Sequence, residues 1–334
     1  MSAIDSLAAL EGVIGKTPAP VNLKVIDHAD ANARRWLAAS PLMFAGFGDG
    51  QGIAITLGGG DPGFASTADP AVLAIPVDLI DDPALAVPGA GFGSLFLISG
   101  VGETLRINGR VAGTDGGILR VAIEECYGHC AKALIRSDFW SAEPLGDWPG
   151  DPGSFVNASR FMALATIDAG GGADLSPKGD PAGSMARMGA DGLWFADRPG
   201  NRRADSFRNI VVQPRIAAAL LIPGSTGVVS VRGQARLTAD ESARAAFAVR
   251  DKTPLLAARI DDVTMEMRAS AALGRARLWP AAAAPGDIRP AKMFADHVRL
   301  NKDKGLAARL AGAFVSVPGL MERGLAKDYK DNLY

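Results

Sequence analysis

The feature that most constrains this chain is an internal repeat. At an offset of 119 residues, Ala39–Pro62 aligns with Ala158–Pro181 without a gap. Further along, the offset grows to 124 residues, which places Leu105–Val111 on Val229–Ala235. Matches that keep their order while the offset drifts slowly indicate two copies of one structural unit.

Each copy consists of short apolar runs broken by Gly, Asp and Pro, the pattern of β-strands joined by turns. In the first copy the predicted strands are Met43–Phe47, Gly52–Leu57, Val72–Ile75, Gly93–Ile98 and Thr104–Ile107. A helix is predicted next, over Glu124–Trp140, which would place Cys126 and Cys130 one turn apart. Antiparallel strands followed by one helix fit a small barrel with a helix packed at its end.

The fold class predicted from this pattern is mainly β with α (α+β). A linker rich in Pro, Gly and Asp over 141–153 separates the two copies. The predicted segments are a helical N-terminal extension (1–35), a first barrel (36–145), a second barrel (154–280) and a helical C-terminal tail (281–334). Two helices are expected in the tail, over Pro290–Leu300 and Leu306–Ala326, and no chemistry is assigned to them.

Bulk composition narrows the classes of function. The formal net charge of −1 argues against the broad basic surface that binds nucleic acid. The sequence contains no apolar run near the roughly 20 residues of a membrane span, and its start lacks a secretory signal pattern. We therefore expect a cytoplasmic protein. Cys126, His129 and Cys130 leave a zinc site open, but reduced thiols are the favoured interpretation and no metal ligand is assigned.

The densest polar cluster lies in the second copy, over Asp197–Ser206. A predicted strand, Gly192–Ala196, leads into it, and a predicted helix, Ser206–Val212, leaves it. Arg202 and Arg203 offer planar donors that suit phosphate oxygens. The start of a helix adds N–H donors and a favourable dipole.

A second polar cluster precedes it, at Asp174–Asp180, and its Lys178 could reach the same anion. Together the two clusters predict an anion site. The alternative is a solvated turn that holds Asp–Arg pairs.

Three segments of the second copy resemble the flavin-nucleotide-binding branch of the pyridoxamine 5'-phosphate oxidase-like superfamily: FMALATIDAGGGADLSPKGDPAG, LWFADRPGNRRADSFRNIVVQP and LLIPGSTGVVSVRGQARL. The first copy adds LFLISGVGETLRINGRV and EECYGHCAKALIRSDFW, which resemble the later part of the pattern. The resemblance covers roughly residues 36–280. It implies split barrels that pair, with flavin mononucleotide (FMN) held between them. The matching positions in the second copy are Ser176, Pro177, Lys178, Asp197, Arg198, Asn201, Arg202, Arg203 and Ser206.

The two copies have lost different parts of this pattern. At the offset of 119, Leu57 and Gly59 stand where the second copy has Ser176 and Lys178, and the turn after Pro76 is acidic, which would repel phosphate. The later helix shows the reverse. The first copy retains His129, Cys130, Lys132 and Arg136, where the second has Arg268, Ala269, Ala271 and Arg275.

These differences predict an intramolecular pseudo-dimer with one FMN site. The second copy would hold the phosphate, and the first would contribute Lys132 and Arg136. Further pairing into a homodimer stays open.

The function favoured by the resemblance is that of an FMN-dependent oxidoreductase acting on a small-molecule substrate or electron donor. The cofactor carries the chemistry in such proteins, and no catalytic residue is assigned. Two alternatives stay open: a non-enzymatic flavin-binding or redox-sensing protein, and a binder of another anionic cofactor such as haem.

Overall fold

The computed structural model describes residues 3–18, 22–200, 203–301 and 320–334. Its first part contains a short strand, β1 (Ala3–Ile4), and two helices, α1 (Leu7–Ile14) and α2 (Ala31–Ala39). The indole of Trp36 in α2 is buried and donates a hydrogen bond to the carbonyl of Phe96, 3.2 Å away. This contact fixes α2 against the first copy.

The first copy forms a six-stranded antiparallel sheet with the order β3-β2-β5-β6-β7-β4. Its strands are β2 (Leu42–Asp49), β3 (Gly52–Gly59), β4 (Val72–Pro76), β5 (Gly91–Leu97), β6 (Thr104–Asp115) and β7 (Ile118–His129), followed by α3 (Lys132–Arg136). After β4 the chain returns to β3 through a bridge between Gly58 and Ile80. The sheet is therefore curled into a partly open barrel.

The second copy forms a sheet with the order β10-β11-β14-β13-β12-β8-β9, and β1 pairs with β13. Its elements are α4 (Pro152–Ala158), β8 (Phe161–Ile167), β9 (Ala173–Gly179), β10 (Ala186–Gly189), β11 (Gly192–Ala196), α5 (Asp205–Val212), β12 (Arg215–Leu221), β13 (Gly227–Thr238), α6 (Glu241–Ala245), β14 (Ala257–Ala269) and α7 (Ala271–Ala276).

The strand orders of the two sheets confirm the repeat. If β2, β3, β4, β5, β6 and β7 are matched with β8, β9, β11, β12, β13 and β14, one sheet order becomes the other. The hairpin strand β10 is the addition in the second copy. The predicted pair of split barrels is therefore confirmed.

The register of pairing differs between the copies by one residue at one strand. Leu42 in β2 lies opposite Gly59 in β3, whereas Phe161 in β8 lies opposite Gly179 in β9. The first members of these pairs are 119 residues apart, but the second members are 120 apart. The second copy therefore has one more residue in the turn before β9.

The ungapped alignment of the two copies is consequently wrong by one residue along β9. Ser176 corresponds to Thr56, and Lys178 corresponds to Gly58. The first copy still lacks a cation at the lysine position, so the predicted loss of a phosphate-binding residue stands. Glycines occur in and beside both turns, at Gly50 and Gly52 in the first copy and at Gly170–Gly172 in the second, and this hid the extra residue from sequence comparison.

The predicted helix over Glu124–Trp140 is largely wrong. The segment up to His129 belongs to β7, where buried residues alternate with exposed ones at the period of a strand. Cys126 therefore lies in this strand and is buried, and it is not one helical turn from Cys130. The helical part is the short α3.

The two barrels share an apolar interface. One core cluster contains residues of both copies, including Phe44, Leu57, Phe161 and Leu175. The rings of Phe44 and Phe161 lie 5.5 Å apart between centroids. A continuous core across the two copies makes them a pseudo-dimer within one chain.

Two close approaches show the pseudo-twofold relation at this interface. A Cβ atom on Gly179 in β9 would lie 1.9 Å from the carbonyl oxygen of Ala133 in α3. A Cβ atom on Gly59 in β3 would lie 2.7 Å from the carbonyl oxygen of Ala272 in α7. The helix that follows each barrel therefore packs against a glycine of the other barrel, where no side chain separates the two backbones.

After the second barrel, α8 (Pro290–Leu300) packs beside the N-terminal region, where buried His297 lies 3.3 Å from Asp30. The helix predicted over Leu306–Ala326 falls largely outside the described residues, and the chain is described again from α9 (Leu320–Asp331). Among the described helices, none has the length and apolar character needed to cross a membrane.

We expect Gly59→Ala to destabilise the protein by about 1–3 kcal/mol, because the new methyl group would press against backbone atoms of α7 that cannot move aside. Urea denaturation would measure this change. Gly274→Ala is the control: it lies within α7 with open space around it, and should be neutral or stabilising by about 0.5–1 kcal/mol. A Gly59→Ala protein as stable as the wild type would contradict the packing of β3 against α7.

Candidate cofactor site

A cavity of about 600 Å³ lies between the two copies, where β9 and α5 of the second copy face α3 of the first. Nine of the eleven residues predicted from sequence line it: Lys132, Arg136, Ser176, Pro177, Lys178, Asp197, Arg198, Arg203 and Ser206. The other two, Asn201 and Arg202, lie outside the described residues. The structure thus brings together residues that are separated along the chain.

The start of α5 opens onto the cavity. The helix begins at Asp205, preceded by Ala204 in the left-handed conformation with φ 52°, and the side chain of Ala204 cannot cap it. Ala204, Asp205 and Ser206 all line the cavity, and Ser206 is only 2% exposed. Uncapped N–H groups at a helix start favour a bound anion.

The helix α3 supplies the cations of the first copy. Lys132 and Arg136 are 3% and 7% exposed, which is unusual for charged side chains and requires partners. Lys132 Nζ lies 2.9 Å from a carboxylate oxygen of Asp328. Arg136 donates to the carbonyl oxygens of Pro199 and Leu333, each at 2.6 Å. Asp328 and Leu333 belong to the tail, for which no chemistry is predicted from the sequence.

The charges that line the cavity are unbalanced. Within the described part of the chain, seven cationic side chains face it: Arg106, Lys132, Arg136, Lys178, Arg198, Arg203 and Lys252. The carboxylates among the lining residues are Asp180, Asp197, Asp205 and Asp328. Asp174 and Glu125, which lie outside the lining, pair with Arg106 and Arg203, but the cations still exceed the carboxylates. Because a low-dielectric cavity strengthens an uncompensated charge, this excess favours an anionic ligand.

Lys178 has only a distant ionic partner. Its Nζ atom lies 3.8 Å from a carboxylate oxygen of Asp197, beyond hydrogen-bond distance, and 4.1 Å from the centre of the Phe207 ring. Burial lowers the pKa of Lys178 and raises that of Asp197, each against the attraction of the other. An anion at this position would favour the charged form of the lysine.

Arg106 is a residue of this site that sequence reasoning missed. It lies on β6 of the first copy, is 1% exposed, and reaches across to the second copy, where Nη1 is 2.7 Å from Asp174 and Nη2 is 3.2 Å from Ser176. Tyr127 accepts a further hydrogen bond from Nη1 at 2.5 Å. Its signal in the sequence was an arginine among the apolar residues of a predicted strand.

The ionisation of this cluster follows from its partners. Burial alone would lower the pKa of Arg106, but Asp174, Tyr127 and Asp205 raise it instead, so the guanidinium stays charged. Burial raises the pKa of Asp174, and Arg106 opposes that shift. The ion pair therefore depends on both members being present.

His129 and Cys130 also line the cavity. Burial, and then the positive charges of Arg106 and Lys24, hold the pKa of His129 well below its usual range, so the imidazole is neutral. Among the described residues its buried Nδ1 atom has no hydrogen-bond partner. Over that same part of the chain, no group of three or more His, Cys, Asp or Glu side chains is placed to hold a metal ion.

Comparison with known proteins agrees with the fold. Residues 153–281 match the family model described as Pyridoxamine 5'-phosphate oxidase. The second copy, which these residues span, is therefore similar to the pyridoxamine 5'-phosphate oxidase-like split-barrel superfamily. No curated protein matches the chain in sequence.

Solved structures give distant matches. HupZ of Group A Streptococcus is 17% identical, with 42% of this chain and 100% of HupZ covered and a TM-score of 0.30. HutZ, the heme storage protein from Vibrio cholerae, is 13% identical over 34% of this chain and 89% of its own, with a TM-score of 0.25. A conserved hypothetical protein from Mycobacterium tuberculosis is 16% identical over 44% of this chain and 100% of its own, with a TM-score of 0.27.

The pseudo-twofold relation of the split barrels implies a second cleft, between β3 and α7. There the acidic turn of the first copy meets the helix of the second: Asp82 forms a two-point ion pair with Arg268, and Asp81 accepts hydrogen bonds from Ser270 Oγ and the Ala272 N–H. Arg275 donates to main-chain carbonyl oxygens. The carboxylates of the acidic turn thus pair with the arginine and the helix-start donors of this cleft.

We expect Arg106→Met to lower the free energy of unfolding by about 3–5 kcal/mol, because it leaves Asp174 buried without its cation. Asp174→Asn in the same chain should recover part of this loss. Urea denaturation of the single and double variants would measure the coupling.

The stability of the Arg106→Met variant relative to wild type should also depend on pH. Without Arg106 the raised pKa of Asp174 rises further, so Arg106→Met should lose stability relative to wild type as pH rises from the wild-type pKa of Asp174 towards its higher pKa in the variant. A stability difference that stays constant from acidic to neutral pH would argue against the ion pair.

Proposed function

We propose that the chain binds one FMN in the cavity between the barrels and acts as a flavin-dependent oxidoreductase on a small substrate. The observation that carries the proposal is the excess of cations around an uncapped helix start, within a cavity built from both copies. The match of residues 153–281 to the pyridoxamine 5'-phosphate oxidase family model supports the choice of a flavin.

The residues present fit such a cofactor. The volume of about 600 Å³ falls within the usual range of small-ligand sites. Lys178, Arg203 and Ser206 stand around the start of α5 as donors for a phosphate. Pro177, Phe207 and Leu255 provide apolar wall for a ring system. One end of the cavity therefore suits an anion, and other parts of its wall suit an aromatic surface.

When bound, FMN supplies reversible electron transfer, which the side chains of the site do not provide. The protein's part is to bind, orient and exclude water. Arg198 is held rigidly for this role, since it donates to Asp180 at 2.6 Å and to the Phe247 carbonyl at 2.8 Å. Arg106 holds β6 against β9 and places a fixed positive charge in the wall.

One cofactor per chain follows from the difference between the clefts. The groups of the second cleft already have protein partners in Asp81 and Asp82, and the first copy offers no cation at the position of Lys178. An anion there would compete with these carboxylates and be repelled by them.

Two other functions remain as candidates. A non-enzymatic flavin-binding or redox-sensing protein would use the same site without turnover. A haem-binding protein is favoured by His129, whose neutral imidazole lines the cavity and could ligate iron. The absorption spectrum of the purified protein distinguishes a flavin from a haem directly.

We expect the purified protein to release one FMN per chain, counted by absorbance after denaturation. Lys178→Gln should weaken FMN affinity about tenfold or more, because a charge-assisted hydrogen bond is lost. Lys292→Gln, which changes an exposed lysine on α8, is the matched control. Two FMN per chain would contradict the single-site proposal, and a chain that binds no FMN at all would refute the flavin assignment.

The oxidoreductase part of the proposal has its own test. Under anaerobic conditions, a reduced nicotinamide cofactor or another small donor should bleach the flavin band of the holoprotein faster than that of free FMN. Rapid mixing with absorbance detection would measure both rates. Equal rates with every donor, together with tight FMN binding, would favour the non-enzymatic function.

A further inference from the structure

Residues 320–334, here called the tail segment, lie against the cation-rich end of the cavity. Asp328, Asn332 and Tyr334 are part of the cavity lining. Asp328 pairs with Lys132 at 2.9 Å, and the Leu333 carbonyl accepts from Arg136 Nε at 2.6 Å. The tail segment therefore provides acceptors for both cations of the first copy.

Aromatic contacts extend this docking to the second copy. The ring of Tyr334 has three guanidinium groups around it: Arg136, Arg198 and Arg250 lie 5.6, 5.7 and 5.3 Å from its centroid. The Tyr334 main-chain oxygen accepts from Lys252 Nζ at 3.1 Å. One residue of the tail segment thus contacts four cationic side chains.

Tyr329 anchors the same segment outside the group of cations. Its hydroxyl donates to a carboxylate oxygen of Glu103 at 2.9 Å and accepts from the Ala131 N–H at 3.3 Å, just before α3. The tail segment is therefore positioned along α3 by contacts that do not depend on Lys132 or Arg136.

The acceptors of the tail segment stand where an anionic ligand would need to be. An anionic ligand that is bound at the start of α5 and also uses Lys132 and Arg136 would have to replace the carboxylate of Asp328 and the carbonyl of Leu333. A phosphate that approached without displacing Asp328 would face a like charge beside Lys132, in a partly buried site where screening by salt is weak.

We infer that the tail segment is a built-in competitor, which occupies the Lys132 and Arg136 side of the cavity and is displaced when an anionic cofactor binds there. The identity of the cofactor rests on the proposed function, whereas the competition concerns any phosphate-bearing ligand. In the opposite arrangement the tail segment stays docked and covers the bound cofactor. Cofactor binding would then slow hydrogen exchange in the tail segment rather than accelerate it.

Hydrogen exchange followed by mass spectrometry on the full chain separates these arrangements. A 12-residue helix such as α9 is marginally stable by itself, so displacement should accelerate exchange of the amides of 320–334. We expect acceleration on addition of FMN and on addition of inorganic phosphate, compared with sodium chloride at equal ionic strength.

A pair of variants tests the docking without any ligand. Asp328→Asn removes the partner of Lys132 and should accelerate exchange of 320–334 in the free protein. It should also raise FMN affinity about two- to fivefold, as expected for the loss of one partly exposed ion pair. Asp331→Asn, which changes an exposed aspartate on the same helix, is the control and should leave both measurements unchanged.

The outcomes separate this inference from the proposed function. If FMN binds but slows exchange of 320–334 or leaves it unchanged, the competition is refuted and flavin binding stands. If FMN does not bind but inorganic phosphate accelerates exchange, flavin binding is refuted and the competition stands. No acceleration with either ligand, or equal behaviour of Asp328→Asn and Asp331→Asn, refutes the competition.

Discussion

The ion pair between Arg106 and Asp174 is the interaction on which the site depends. It joins β6 of one copy to β9 of the other, and the side chains of both residues are almost inaccessible to water. Removing two charges from water costs several kcal/mol, so such a pair contributes little net stability. Its main effect is on the relative position of the two copies. The pair holds β6 against β9, the strand that carries Ser176 and Lys178 into the cavity beside the start of α5.

Duplication within one chain lets the two clefts of a pseudo-dimer diverge. In the cleft between β3 and α7, the chain itself supplies carboxylates to the cations, so that Asp82 neutralises Arg268 and Asp81 caps α7. In the cleft between β9 and α3, cations outnumber carboxylates even when Asp328 is counted. The same architecture therefore gives one cleft closed by internal partners and one that carries an excess of positive charge.

Sequence reasoning reached the architecture and most of the cavity lining for physical reasons. The repeat, the strand pattern and the basic turn are local signals, and a strand followed by a turn and a helix start places Arg203 and Ser206 close together. Lys178 was predicted to reach the same site from a separate strand, β9. The helix over Glu124–Trp140 was wrong because the linear pattern of β7 was read at a helical period. The one-residue error at β9 arose because the three consecutive glycines Gly170–Gly172 allow Gly52 to be aligned equally well with a gap or without one.

What sequence could not supply were the contacts between distant segments. Nothing in the sequence around Arg106 shows its role, because its partner Asp174 lies on a strand of the other copy. The tail segment has no catalytic or binding motif. Its position over α3 depends on the fold of both barrels, since Tyr329 contacts Glu103 and Ala131 while Tyr334 contacts Arg198 and Lys252.

The weakness of its individual contacts would allow a cofactor to displace the tail segment from the cavity. Each polar or aromatic contact of the tail segment contributes on the order of 1 kcal/mol or less where it is partly exposed. Because the tail segment belongs to the same chain, its effective concentration at the cavity is high. Weak contacts are therefore enough to keep it docked in the absence of a ligand. A cofactor phosphate gains several charge-assisted hydrogen bonds at once, and can outweigh these contacts. The apparent affinity for the cofactor is then its intrinsic affinity multiplied by the fraction of chains whose tail segment is undocked. The strength of tail docking would therefore set how much free cofactor is needed to load the site.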